Sequence, residues 1–439
     1  MSDANNGQRS TLTRPDEEAV MITDRNPKHG RTLRVAMIGY GFMGAAHSQG
    51  WRTAPRIFDL PAEIEMAVIV GRNVEAVAAV GGKWGWAEAV SDWREAIARD
   101  DIDIVDIVTP GDSHAEIAIA ALEAGKHVLC EKPLANTVAE AEAMADAAAR
   151  AAANGQRAMV GFTYRRVPAV TLLRDLIAAG QVGRVNQVRA SYRQDWLVDP
   201  ASPLTWRLKK ELAGSGALGD IGAHAIDLAQ FVTGQSLTGV SGIIDTIVRE
   251  RPVASNASGL VGTAGRIVEG RGEVTVDDIA IFSGRLEGGA LASFEATRFA
   301  TGRKNALAIE VSGDRGALAF DLEDLNALQF FDRTAPGGRH GFTKILVTEP
   351  EHPYLSGWWP AGHMLGYEHA FSHQVKDLIE GIVDGTDPHP TFTDGLRVQQ
   401  VLAAVEESSA SGSAWTLVGE AVTATAGGPD AAEHARRPL

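Results

Sequence analysis

A short apolar strand running into three spaced glycines, LRVAMIGYGFMGAAHSQGW from Leu33, constrains this chain more than any other stretch. Gly39, Gly41 and Gly44 spell G-x-G-x-x-G between a strand and an amphipathic run. In that setting the first glycine allows a tight turn and the second lets backbone approach a pyrophosphate. The third lets helix and strand pack closely, with the phosphates on the helix N-terminus. Phe42 and Met43 lie inside the same loop and count with the glycines as cofactor-binding candidates. Strands expected at about Met66 to Gly71 and Ile104 to Thr109 alternate with helices from about Val74, near Asp92 to Arg99, and up to Ala124. That alternation predicts an α/β fold with a doubly wound parallel sheet, closing near residue 160.

In such a sheet the ligand crevice lies beyond the carboxyl ends of the strands. Three strand tips supply candidates. The tip of the second strand reads Gly71-Arg72-Asn73, with no acid for a ribose 2′-hydroxyl, so the side chains lean toward NADP, although Asn73 can contact a free ribose. Thr109 and Pro110 end the strand from Ile104, and His114 either lines the cofactor cleft or opens the next helix. The third tip, GKHVLCEKPLA from Gly125, is a buried strand ending in Glu131-Lys132 held by Pro133. Proline biases the preceding residue to extended geometry, so Lys132 projects where cofactor and substrate would meet. Thr137-x-x-Glu140 then forms a capping box for an alanine-rich helix.

A chain of 439 residues suits two domains, here expected at 34–160 and 161–420, with polar or Ala/Gly/Pro-rich tails at 1–33 and 421–439. The net charge of −15 disfavours nucleic acid and anionic membranes as partners and favours a small molecule. The single cysteine, Cys130, excludes a disulfide framework within the chain, and its strand makes it a small core residue. No run of about 18 apolar residues occurs, and the first thirty residues have no signal-peptide pattern, so the cytoplasm is the expected compartment.

Beyond Phe162 the pattern becomes mixed. Segments such as VNQVRASYRQDW, Ala290 to Ala296, Leu307 to Ser312 and Ala317 to Asp321 read as strands, and helices are expected near Tyr367 to Glu380 and Asp394 to Ser409. Together they predict a second α/β domain with a large open, mostly antiparallel sheet. Within it, Asp220, His224 and Asp227 recur at helical spacing, which would put all three on one face. A histidine with a carboxylate one turn away can serve as a general base, bind a metal, or be a satisfied core residue beside a helix cap. Paired with Lys132, the base is the leading reading, and no metal is expected.

Three stretches, GYGFMG, TPGDSHAEIAIAALEAGKHVLCEKPLA and GALGDIGAHAID, resemble the glucose-fructose oxidoreductase and inositol dehydrogenase family (Gfo/Idh/MocA) over residues 34 to 235. QDW, TWR and EATRFATGRKN are similar to its levoglucosan-dehydrogenase-like branch and extend the match to about residue 415. The resemblance implies a Rossmann domain, a C-terminal sheet that makes a homo-oligomer (dimer or tetramer), and Lys132, Asp220 and His224 as the catalytic lysine, aspartate and histidine. It also implies NAD as cofactor, against the lean of Arg72, with Glu131 and Arg165 counted among its contacts. The expected reaction is oxidation of a secondary hydroxyl on a sugar, anhydrosugar, glycoside or cyclitol. His224 takes the proton, Lys132 stabilises the alkoxide, and Asp220 orients His224.

Trp196 and Trp206 offer flat faces to a sugar ring, and Tyr164, Asp195, Arg207, Arg298 and Asn305 offer polar contacts. Arg165, Arg166, Arg207 and Arg303 leave room for an anionic sugar. Two alternatives use the same residues: a redox-neutral glycosidase that retains NAD, and a non-catalytic dinucleotide sensor. A metal-dependent hydrolase at Asp220, His224 and Asp227 ranks last.

Overall fold

A computed structural model describes residues 30–255 and 266–419 of the chain. The expected tail 421–439 and most of 1–33 lie outside the described residues, and the first strand begins one residue earlier than expected, at Thr32.

The N-terminal lobe runs β1 (Thr32–Ile38), α1 (Phe42–Ile57), β2 (Glu63–Val70), α2 (Val74–Trp84), β3 (Glu88–Val90), α3 (Trp93–Ile97), β4 (Ile104–Ile107), α4 (His114–Glu123), β5 (His127–Cys130), α5 (Val138–Ala152) and β6 (Ala158–Val160). Its strands form one parallel sheet in the order β3-β2-β1-β4-β5-β6. Strand order reverses between β1 and β4, and a crevice opens there at the carboxyl ends. β4 and β5 are buried throughout, as a sheet covered on both faces requires. Thr137 and Glu140 close both bonds of the expected capping box on α5.

The second lobe continues with α6 (Pro168–Ala178), β7 (Val185–Arg193), α7 (Lys210–Ala213), α8 (Ala223–Thr233), β8 (Leu237–Asp245), β9 (Glu250–Ser255), β10 (Arg266–Glu273), β11 (Ile279–Leu286) and β12 (Leu291–Thr297). It ends with β13 (Ala306–Gly313), β14 (Gly316–Asp321), β15 (Ala327–Asp332), β16 (Thr343–Leu346), α9 (His369–Asp384), α10 (Phe392–Ala410) and β17 (Thr416–Leu417). Among the described residues nine strands form one sheet, β16-β15-β14-β13-β7-β12-β11-β8-β17, antiparallel except between β7 and β12. β11 alternates buried and exposed positions along its length, which marks a sheet covered on one face only. α6, α8 and α10 cover that face, and Ile243, Ile281 and Leu291 stand exposed on strands of the sheet.

The chain then returns to the first lobe. Val375, Leu378, Ile379 and Ile382 of α9 join Leu33, Met37 and Trp51 in one core cluster. Leu378 and Ile379 are fully buried there, worth about 1.5–3 kcal/mol each. The two lobes are thereby fixed against one another.

Candidate active site

The dinucleotide loop has the shape its glycines require. Gly39 adopts φ +111°, and a Cβ there would lie 2.8 Å from the Val108 carbonyl oxygen. A Cβ on Gly44 would lie 3.0 Å from the Gly39 carbonyl oxygen, which is the close helix packing the third glycine permits. In front of Gly41 there is open space, and α1 starts on that residue with no side-chain cap and no acid in its first turn. The start of a 16-residue helix, with no acid in its first turn and no atom crowding Gly41, therefore fits the phosphates of a dinucleotide.

The missing acid at the tip of β2 has a steric cause: a Cβ on Gly71 would lie 2.2 Å from the Tyr40 ring. Tyr40 occupies the space an acidic side chain would use. Arg72 is exposed, and the Asn73 side chain accepts from the Ala76 amide as the cap of α2 instead of facing the cleft.

Lys132 extends past the end of β5, and its Nζ donates to the Asp220 backbone carbonyl at 2.6 Å and to Asp220 Oδ1 at 3.3 Å. Asp220 sits in a π turn, Leu218–Gly222, that leads into α8. Such turns recur at functional sites because they re-aim one side chain. The buried Asp277 carboxylate holds the turn, accepting from the amides of Gly216 at 2.6 Å and Leu218 at 2.8 Å. Arg298 spans the two acids, with Nη2 donating to the Asp277 carbonyl at 3.0 Å and Nη1 3.8 Å from Asp220 Oδ2. Enclosure pushes the Asp220 carboxyl up, but the charges of Lys132, Arg207 and Arg298 outweigh it and hold the group at about 2. Asp220 is ionised, and its partner is Lys132.

His224 opens α8 against a wall of rings, with centroids at 4.7 Å to Tyr164 and 5.9 Å to Phe162 and Tyr192. Burial, then the Lys132 charge, push its imidazolium well below the usual histidine range, against the pull of Asp220. The ring is therefore neutral near neutrality, as a general base must be. Beside it runs a hydrogen-bonded chain. Tyr164 donates to Tyr192 at 2.8 Å, and Tyr192 to Asn305 Oδ1 at 2.6 Å. Gln194 Nε2 donates to the same oxygen at 2.8 Å, and Gln194 Oε1 accepts from Trp196 Nε1 at 2.8 Å. With Oδ1 doubly occupied, the Asn305 amide orientation is fixed. Trp196 and Trp206 are half-buried, with Arg298 and Arg207 against their respective rings.

Several expectations are corrected. Asp220 does not stand in α-helical phase with His224 and Asp227, because it lies in the π turn before α8, and Asp227 forms a buried pair with Arg165. Arg165, expected at the cofactor, is committed to that pair through both Nε and Nη2. Among the described residues neither His224 ring nitrogen bonds Asp220, so Asp220 does not orient the base directly. His114 is buried and ties the Thr109 carbonyl to the Pro133 carbonyl, a strut between two strand tips in place of a cofactor contact. Asp195 turns from the cleft to Lys304 Nζ at 2.7 Å and the Gly302 amide at 3.1 Å. Arg298 is fully buried and acts on Asp220, not on a substrate. Glu131 is buried too, and accepts from His47.

Tyr192, Gln194, Asp277, Tyr367 and His47 escaped the sequence reading. Tyr367 lies between Phe42 of the dinucleotide loop and Tyr164. His47 had one available signal: Asp106, an acid in the middle of an otherwise apolar buried strand, needs a partner.

Burial also leaves its mark on stability. His127 and His373 are pushed down to about 4 and about 3, chiefly by burial, and His224 is lowered as well. Each is neutral when folded but takes up a proton on unfolding below its ordinary 6.5, so stability falls as pH drops through that value. From pH 7 to pH 5 each should cost about 2 kcal/mol, while His47, charged in the folded chain, returns about 1 kcal/mol. Denaturant melts at the two pH values should show the chain clearly weaker at the lower; equal midpoints would contradict this.

Residues 33–162 match the oxidoreductase family with an NAD-binding Rossmann fold, and residues 170–319 match the GFO/IDH/MocA C-terminal domain. Levoglucosan dehydrogenase of Pseudarthrobacter phenanthrenivorans is 42% identical over 87% of this chain and 97% of its own. An inositol 2-dehydrogenase of Mycolicibacterium smegmatis is 28% identical over 87% of this chain and 94% of its own. Among solved structures, an oxidoreductase domain protein from Kribbella flavida superposes with a TM-score of 0.84 at 60% identity, covering 89% of this chain and all of that one. A levoglucosan dehydrogenase in complex with NADH superposes with a TM-score of 0.82 at 40% identity, covering 88% and 99%. With both lobes matched, this chain is an NAD-binding oxidoreductase of the Gfo/Idh/MocA family.

Proposed function

We propose that the protein oxidises a secondary hydroxyl of a compact, neutral sugar ring, with an anhydrosugar such as levoglucosan the first candidate and cyclitols next. The observation that carries this reading is the convergence of Lys132, paired to an ionised Asp220, with a neutral His224 on one crevice beside the dinucleotide loop. The α1 amides and the Gly39–Gly44 loop would hold the pyrophosphate of NAD, which when bound supplies the hydride acceptor. His224 takes the hydroxyl proton as the carbon gives up hydride and the carbonyl forms. Lys132 stabilises negative charge developing on that oxygen, and Asp220 holds the ammonium in place. The aromatic wall of Tyr164, Tyr192 and Trp196 suits the apolar face of a ring, and Asn305 one of its oxygens.

A panel of anhydrosugars, cyclitols, free sugars and aryl glycosides with NAD⁺ or NADP⁺ tests this. Reduced nicotinamide should accumulate with NAD⁺ and an anhydrosugar or cyclitol. Release of aglycone without accumulation would replace the reading with redox-neutral glycoside cleavage, and silence on every sugar would remove it.

The exposed Ile243, Ile281 and Leu291 on the large sheet are read as the seat of a second copy of the chain. Sedimentation that gives a monomer at micromolar concentration would remove that part.

A further inference from the structure

Beneath the site lies a cluster that the mechanism above does not use. His47, in the second turn of α1, is buried with Asp106 of β4 and Glu131 at the tip of β5. Its Nδ1 lies 2.9 Å and 3.0 Å from the two Asp106 oxygens, and its Nε2 lies 3.0 Å from Glu131 Oε1. Ionised carboxylates only accept, so both ring nitrogens must carry hydrogen and the ring is an imidazolium. Trp51 Nε1 donates to Asp106 Oδ2 at 2.7 Å, and the Phe371 ring of α9 closes the remaining side. The other Glu131 oxygen, Oε2, accepts from the Lys132 amide at 3.2 Å.

We propose that His47 is a positioning residue of the reaction, a constantly charged clamp that joins α1, β4 and the tip of β5. It thereby sets where Lys132 stands relative to the dinucleotide loop. Geometry is the main ground: one ring ties the helix that carries the loop to the strand tip that carries the lysine, through a carboxylate that also bonds the lysine's own amide. Charge agrees with it. Burial alone would push the imidazolium down, but Asp106 and then Glu131 together raise it to about 10. The groups facing the ring are those two acids, Trp51 and Phe371; Lys132 and the Cys130 thiol lie next along the strand tip. With two acids and one cation the cluster carries a net negative charge under the Lys132 ammonium. A neutral His47 would set a ring lone pair against a carboxylate and release the strand tip.

This inference rests on the dehydrogenase reading, and the test separates the two. Histidine-labelled full-length protein, with the His47 signal assigned by the variant His47→Gln, is titrated by NMR with NAD⁺ present. His47 should stay protonated from about pH 5.5 to about pH 9. Deprotonation between pH 6 and 8 overturns the clamp, whether or not any sugar is turned over. In turnover, His47→Gln should lower kcat about tenfold to a hundredfold by misplacing Lys132. It should also change the pH profile of turnover, because the variant leaves Asp106 and Glu131 facing each other without the cation between them. The double variant His47→Gln/Glu131→Gln should lose that change while kcat stays low. Loss of activity that only tracks the folded fraction, with the pH profile unchanged, overturns the proposal, and so does a wild-type profile in His47→Gln. Should the parent turn over no sugar, the functional reading falls, and the NMR titration alone decides the clamp.

Discussion

Replacing Lys132 with methionine is expected to lower kcat about a thousandfold while the NAD⁺ dissociation constant moves by no more than about threefold. Methionine keeps the length and apolar stem of lysine, so the strand tip and Pro133 can stay as they are. What it removes is the ammonium that faces the reacting oxygen. A single uncharged donor to an oxyanion is worth about 10²–10³ in turnover, and a charged one in a water-poor cleft more. The variant also leaves the ionised Asp220 without its nearest cation. Arg298 at 3.8 Å and Arg207 remain close, so the turn should keep its shape. The loss should therefore fall on kcat more than on KM, since the charge matters most where the alkoxide develops. Stopped-flow measurement of nicotinamide reduction, with NAD⁺ affinity taken from fluorescence titration, separates the two. Turnover within about tenfold of the parent would remove Lys132 from the chemistry.

The parts of this site that were legible in the sequence are those whose meaning is local. Gly39, Gly41 and Gly44 follow a strand and precede a helix, and backbone sterics in such a unit allow few arrangements. Lys132 follows a buried strand and precedes a proline, which is again local geometry. Several of the errors concern residues whose partners come from far along the chain. Arg165 reads as a free guanidinium until Asp227, on a helix beyond the whole of β7, neutralises it. Asp195 reads as a sugar contact until Lys304 takes it, and Arg298 until burial removes it from solvent. Spacing misled at Asp220 for a different reason: helical periodicity assumes an α-helix, and one π turn shifts the phase of every residue before it. Tyr192 and Asp277 give no signal at all in sequence. One looks like an ordinary strand aromatic, the other like a turn acid, and only the assembled sheet brings them under Tyr164 and Asp220.

His224→Asn should lower kcat/KM about a hundredfold to ten-thousandfold at neutral pH, and the pH dependence should show why. Asparagine is close in size to imidazole and polar, so Phe162, Tyr164 and Tyr192 can keep their packing, but it cannot take a proton. In the parent, burial and the Lys132 charge hold the imidazolium well below the usual range, so the base is already free at pH 6.5 and loses its function only as it is protonated at lower pH. The parent profile should therefore run flat through the ordinary histidine value, with its acid limb displaced well below it. Without the imidazole, solvent hydroxide has to remove the hydroxyl proton, so the variant's rate should rise about tenfold per pH unit where the parent is flat. A parent profile that breaks at pH 6.5–7 would mean that the ring is not held neutral. A variant that keeps both the rate and the flat profile would pass the base to another group. A hydroxyl that could inherit it is that of Tyr164, whose ring centroid lies 4.7 Å from the imidazole and whose own ionisation is disfavoured by burial. Tyr164→Phe is thus the control: with His224 as the base it should spare the pH profile, and with Tyr164 as the base it should abolish turnover.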